Sequence, residues 1–491
     1  MLDRIVKDVV CETDGFGIEI FIPLLVRHIK KTKPYIRQLL VGWVAVLNAI
    51  PDIGMLDYLP EFLEGLFNML SDGNKSIRQS ADGVLSSFLY EIETAELAEF
   101  GSIIEVLVRQ CVVKEKLCRM RALQWLHCFI RLGGSRLRMY YSAMLGSIIH
   151  CLSDIDSSEI AKIASIANTS LMELVRSTQE EFELQPILYK LTVEVLSDHI
   201  VTRVAVLLWI EMFYEKDATN MNKHIFVLLP VLLNKLADGS DKVLIINTRV
   251  IARICLDSTQ FSRVFQALNI LFMEDRHLLE SRGVFIIRNL CGLLDCKKIF
   301  IAISNILTDK LDIEYISLMV QTLNVVLVTS PELKSLRNML STSVVGNDGN
   351  NTSTSTSTNT NTTTSSNTST DDDESRQVFV TLYKCWCHNP AAIFSLCLLS
   401  QAYELSADLV YKMTKHDVSV GFLVQIDNLV HLIESPSFIH IRLQLLEIDS
   451  TKHTQLIQSL HGLMSLLPQS VPYGTLSRRL AAVGALQMSL N

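Results

Sequence analysis

Between Lys75 and Phe88 the apolar positions are Ile77, Ala81, Val84, Leu85 and Phe88. Steps of three and four put them on one stripe of an α-helix, where side chains share a face every ~3.6 residues. The stripe returns with smaller residues at Ile160, Ala164, Ala167, Leu171 and Leu174. Periodicity of this kind predicts about eight helix pairs between Met1 and Leu340. Prolines at 23, 51, 60, 230 and 331 sit at predicted helix starts or bends, where a residue without an N–H is tolerated.

Short markers punctuate the helices at a fixed interval. Leu70-Ser71-Asp72 recurs as Leu152-Ser153-Asp154, as Leu196-Ser197-Asp198 and nearly as Leu236-Ala237-Asp238, at steps of 82, 44 and 40 residues. Trp43, Trp125 and Trp209 each follow an arginine (Arg37, Arg119, Arg203) by six residues, at steps of 82 and 84. Both markers imply a unit of about 41–42 residues, within the ~40–47 of HEAT and armadillo repeats. Leu closes one helix, and Ser or Asp at the bend can accept hydrogen bonds from the free N–H groups of the next. The triplet therefore marks the bend inside a helix pair. One pair cannot bury its own apolar face, but stacked neighbours can. The predicted fold is all-α, a HEAT/armadillo-like α-solenoid over 1–340. Its first helix starts at Met1 without a protective cap, which suggests a truncated product or a longer native array.

From position 350 to 370 all 21 residues are Asn, Ser or Thr, and "DDDE" follows. Such a run has nothing to bury, so 341–376 is expected to be a disordered, solvated loop of variable length. Its Asn-x-Ser/Thr triplets match the glycosylation pattern, a reading that a cytosolic protein leaves idle. Helical periodicity resumes over 377–491, a C-terminal helical region that continues the solenoid.

Composition narrows the class. Of 491 residues, 49% are hydrophobic and mean hydropathy is +0.29. The apolar runs "LLVGWVAVL", "VAVLLWI" and "IFVLLPVLL" fall well short of the ~18–20 residues of a spanning helix. Charges in "MLDRIVKDVV" argue against a signal peptide, so a cytoplasmic location is expected. Cys128, Cys151, Cys255 and Cys291 lie in apolar helical runs, as small hydrophobes do. A net charge of −8 argues against general nucleic-acid binding.

No constellation carries chemistry. Cys385, Cys387 and His388 are the best metal candidates, but their spacing is too tight for zinc and no second pair stands nearby. Phosphatase, Gly-rich phosphate-loop, metalloprotease and nucleophile-elbow signatures are missing. Neither an enzyme nor a cofactor is expected. The densest basic segment, "RHIKKTKPYIR", offers Lys30, Lys31 and Lys33 to an anionic membrane, at about 1 kcal/mol each. A solvated turn is the plainer reading.

Several blocks together resemble one family, the HEAT-repeat scaffold of the phosphatidylinositol 3-phosphate 5-kinase complex (the PIKfyve-associated, vacuole-morphology family). They are "LDYLPEFLEGLFNMLSDGNKSIR" from Leu56, "TRVAVLLWI" from Thr202, "LLESRGVFIIRNLCGLL" from Leu278, "WCHNP" from Trp386, "IRLQLLE" from Ile441 and "LLPQS" from Leu466. The resemblance implies a non-catalytic hub that self-associates through its C-terminal region. It also implies two partners, the lipid kinase and a Sac-type phosphoinositide 5-phosphatase, with control of phosphatidylinositol 3,5-bisphosphate on endosome and vacuole membranes. The family's phosphatase-binding region matches roughly Gln266 to Asp449. That places Arg282, Arg288, Trp386, His388, Asn389, Pro390 and Arg442 in the expected contact zone, although helix packing or capping explains each equally well. Family members carry further repeats before the point matching Met1, and kinase binding is attributed to that arm. The runner-up is an armadillo/importin-like transport adaptor that binds extended peptides.

Overall fold

The computed structural model describes residues 18–29, 33–50, 54–94, 101–154, 157–180, 182–308, 312–342, 368–413, 420–447 and 451–490. Among them every regular element is helical and no strand occurs. The chain divides into two compact units, Met1–Val231 and Leu232–Asn491.

In the first unit the helices alternate between two layers. One holds α1 (Ile18–Ile29), α3 (Leu59–Met69), α5 (Gly101–Gln110), α7 (Tyr141–Leu152) and α9 (Leu184–Glu194). The other holds α2 (Pro34–Asn48), α4 (Lys75–Thr94), α6 (Lys116–Gly133), α8 (Ser158–Ser177) and α10 (Ile200–Lys216). Each helix packs on its successor within the layer and on its partner in the pair. Then come the short α11 (Ala218–Asn222) and α12 (Ile225–Asn234), within which the division between units falls.

Local chemistry explains the alternation. On α4, Ile77, Ala81, Val84, Leu85 and Phe88 are all buried, as their spacing predicts. On α8 the stripe ends at Val175, while Leu174 is only half-buried. Leu70-Ser71-Asp72 joins α3 to α4, Leu152-Ser153-Asp154 joins α7 to α8, and Leu196-Ser197-Asp198 joins α9 to α10. Asp72 Oδ1 accepts the Asn74 N–H at 2.8 Å, and Ser157 accepts from Ile160 at the start of α8.

The two sequence markers turn out to be bonding partners. Arg37 Nη1 meets Asp72 Oδ2 at 2.6 Å, and Arg119 Nη2 meets Asp154 Oδ2 at 2.7 Å. An arginine on one pair thus holds the bend of the next. Arg37, Arg119 and Arg203 occupy the fourth position of α2, α6 and α10, and Trp43, Trp125 and Trp209 the tenth. The tryptophans are therefore structurally equivalent. Trp125 and Trp209 are fully enclosed and Trp43 is half-buried. Trp209 Nε1 donates to Asn168 Oδ1 on the neighbouring α8 at 2.9 Å.

The second unit repeats the scheme. α13 (Asp241–Ile254), α15 (Arg276–Leu293), α17 (Ile313–Thr329), α20 (Pro390–Leu399), α22 (Val420–Ile433) and α25 (Val471–Leu490) pack in succession. Alongside run α14 (Ser258–Glu274), α16 (Cys296–Thr308) and α19 (Thr368–Trp386) in one stretch, and α21 (Tyr403–Met413) with α24 (Thr451–Leu466) in another. The smaller α18 (Lys334–Thr342) and α23 (Ile439–Gln444) fill the remaining turns. Arginine recurs at the fourth helix position as Arg337 and Arg442, each donating to two carbonyls of the turn before it.

Two expectations change. Pro23 and Pro230 stand inside α1 and α12 rather than at starts or bends. Both are exposed, so the side that lacks an N–H faces solvent, where the loss costs least. Pro51 lies outside the described residues. Of the expected loop at 341–376, residues 343–367 also lie outside them, but its two ends are helical. Ser341 and Thr342 finish α18, and Asp371 to Glu374 sit in the first turns of α19. Acidic residues favour a helix N-terminus, and Glu374 pairs with Lys297 on α16. The unit division at Val231 and Leu232 is a separate feature that repeat periodicity alone does not mark. Cys128, Cys151, Cys255 and Cys291 are buried. Burial pushes the thiols of Cys128 and Cys255 up to about 11 and about 12, as befits packing residues.

Candidate partner-binding surface

Each residue of the expected contact zone has a definite place. Trp386 is fully buried at the end of α19, stacked on Phe300 of α16 with centroids 6.3 Å apart and planes at 29°. Its ring is core, so it cannot form a contact surface. Asn389 is also buried. Its Oδ1 caps α20 by accepting from the Ala392 N–H at 3.0 Å, and its Nδ2 donates to Ser317 Oγ on α17 at 3.2 Å. Pro390 opens α20, its missing N–H harmless there. In that block Cys387, His388 and Pro390 are the exposed members.

The arginines divide in the same way. Arg442 Nη1 is spent on the carbonyls of Ile433 and Ser435 at 2.9 and 3.0 Å, a tie inside its own repeat. Arg282 Nη1 lies 2.7 Å from Asp241 Oδ1 on α13, with Nη2 on the Gly239 carbonyl. Arg288 is about half-exposed and holds Glu332 at a looser 3.5 Å. Arg288, His388 and Pro390 therefore keep surface to offer, Arg282 and Arg442 keep some, and Trp386 and Asn389 act through the fold.

The metal candidates differ in burial, and the basic segment falls only partly within the described residues. Cys385 is buried, with its thiol pushed up to about 12 by that burial, whereas Cys387 and His388 are exposed. Among the described residues no group of three or more His, Cys, Asp or Glu could hold a metal ion. Lys30 and Lys31 lie outside the described residues. Lys33 is exposed at the residue before α2. Among the described residues no single helix is long and apolar enough to cross a membrane.

One surface feature escaped the reading of the sequence. Ile439, Leu443 and Leu446 are 52%, 56% and 59% exposed, and steps of four and three align them along one side of α23 and the turn after it. On α22, Val420 and Val424 are exposed one turn apart. Scattered exposed apolar residues mean little, but aligned ones mark contact surfaces. The signal was available in "IHIRLQLLE", whose two apolar sets alternate, but only packing shows which set is covered. Ile441 and Leu445 are the covered ones.

Comparison with known proteins gives this surface a context. A family described as vacuolar protein 14, C-terminal Fig4p binding, matches residues 276–483. The chain is 38% identical over 490 residues to a "Protein VAC14 homolog" of Arabidopsis thaliana, covering 100% of this chain and 62% of that protein. The chain is thus similar to a VAC14 homologue along its whole length. It is also similar to the "Protein VAC14 homolog" of Schizosaccharomyces pombe, at 29% identity, covering 95% of this chain and 62% of that one. The "Vacuole morphology and inheritance protein 14" of Saccharomyces cerevisiae is 26% identical, with the same two coverages of 95% and 62%. The chain thus spans 62% of the length of these curated VAC14 relatives. Among solved structures it is similar to a designed armadillo repeat protein, at 12% identity and a TM-score of 0.24, covering 47% of this chain and 99% of that one. The matched stretch starts within α15 and ends within α25, further along than Gln266–Asp449, and it contains both Arg288 and the apolar row on α23. Neither the family description nor the names of these relatives denotes an enzyme.

Proposed function

We propose that this chain, similar to VAC14 homologues, is a non-catalytic scaffold. It holds a Sac-type phosphoinositide 5-phosphatase beside a phosphatidylinositol 3-phosphate 5-kinase on endosome and vacuole membranes, and it self-associates in doing so. The observation that carries the reading is the coincidence of two facts. Residues 276–483 match a family described by its binding of Fig4p, and the same stretch presents Ile439, Leu443 and Leu446 in an uncovered row. Stacked helix pairs suit the task because each repeat contacts mainly its neighbours, so the array offers long surfaces for other chains. The mechanism is proximity. Two enzymes held on one short-tethered platform meet at effective concentrations that reach the mM range.

Co-purification tests it directly. The tagged chain, expressed with the phosphatase and the kinase of its own source, is expected to retain both, and its light-scattering mass to exceed that of one copy. Leu443→Asp with Leu446→Asp should reduce phosphatase recovery about tenfold or more, while circular dichroism stays unchanged. Failure of the unaltered chain to retain the phosphatase would overturn the proposal. Retention of the phosphatase without the kinase would confine the role to the phosphatase half of the complex.

A further inference from the structure

In the second unit, α17, α20 and α22 leave a shallow groove of about 70 Å³ between them. Five of its ten lining residues carry side-chain amides (Gln321, Asn324, Asn389, Gln425 and Asn428) and none carries a charge. Its floor includes Ala391 and Ala392 on α20, small side chains that let another backbone come close. Gln425 Nε2 donates to Gln321 Oε1 at 3.1 Å across the groove, which joins α22 to α17. Asn389 is already committed to capping α20 and to Ser317.

Asn324 is the exception. It is 9% exposed, and its Oδ1 has no hydrogen-bond partner among the described residues. A buried acceptor left unpaired is costly and calls for a donor. Side-chain amides offer the same donor and acceptor pair as a peptide bond. A row of them on successive helices, without charge, reads main chain and does not select an ionised side chain. The volume equals about two water molecules in the liquid, room for one small group of a segment lying along the groove and too little for a cofactor.

We infer that this groove seats an uncharged, extended segment of the phosphatase, one of whose main-chain N–H groups donates to Asn324 Oδ1. The inference rests on the phosphatase-binding reading, since all three helices lie inside residues 276–483. It adds the place and the chemical class of one contact.

The test uses the full chain with two probes, the intact phosphatase and overlapping peptides that span it. Two variants are compared with wild type. Asn428→Trp obstructs the groove from an exposed position, and Asn324→Leu removes the acceptor at similar volume. Wild type is expected to bind at least one uncharged peptide, and each variant to weaken that binding about tenfold. Asn324→Leu should melt no lower than wild type, because it deletes an unpaired polar group. Wild type that captures the phosphatase while both variants bind peptides and enzyme equally well would sink the groove and leave the scaffold standing. Wild type that captures no phosphatase at all would sink the scaffold reading itself. Peptides selected for charge would also overturn the inference.

Discussion

The Arg119–Asp154 pair is enclosed more evenly than its counterpart one marker earlier, Arg37–Asp72. Its side chains are 11% and 8% exposed, against 23% and 6% for Arg37–Asp72. Arg119 also donates from Nη1 to the carbonyls of Val113 and Lys114 at 2.9 and 2.7 Å. Removing one member of a buried pair strands the other charge, at a cost of about 3–5 kcal/mol, whereas an exposed pair gives ~0–1. Arg119→Met is therefore expected to destabilise the chain by about 3 kcal/mol in urea unfolding. Arg119→Met with Asp154→Asn should cost less than the two single changes summed, since the double change leaves no stranded charge. A loss below about 1 kcal/mol would reduce the pair to a surface contact. Recurrence made the arginine, the tryptophan and the Leu-x-Asp triplet visible in the sequence. That arginine and aspartate join across repeats was not visible, because spacing along a chain does not say which neighbour a side chain faces.

At the level of elements, the short α23 and the turn into α20 show where legibility ends. Apolar stripes located the helices well, since burial of a stripe follows directly from helical periodicity. Burial of Trp386 depends instead on Phe300 in another helix, and "WCHNP" carries no sign of that neighbour. The same limit hid the exposure of Ile439, Leu443 and Leu446. On α23 His440 gives a testable consequence. Burial is the main cause holding its imidazole below the ordinary 6.5, with Arg442 adding to it, while its hydrogen bond to the Leu398 carbonyl opposes the shift. With the folded value below the unfolded one, the unfolded chain binds more protons below about pH 6.5. Stability is therefore whole above that pH and falls as pH drops toward the folded value. Melting temperatures at about pH 7.5 and about pH 5.5 should differ more for wild type than for His440→Gln, which keeps a donor and cannot titrate in this range. Equal differences would show that other groups set the acid response.

For the whole array, the nearest-neighbour character of the packing has a consequence beyond any single contact. Among the described residues of the first unit, α1 to α10 each pack on the pair partner and on a neighbouring helix of the same layer. Stability then divides into repeat and interface contributions, and local openings need not spread through the unit. A defect at Arg119–Asp154 should loosen the two pairs it joins, α5–α6 and α7–α8, more than α1–α2. In hydrogen exchange followed by mass spectrometry, Arg119→Met is expected to speed exchange most over residues 101–152 and 158–177, and least over 18–29 and 34–48. Uniform acceleration from 18 to 216 would mean that the five pairs open as one block. In that case the array would lack the graded local stability that lets a scaffold adjust one repeat to a partner while its neighbours hold.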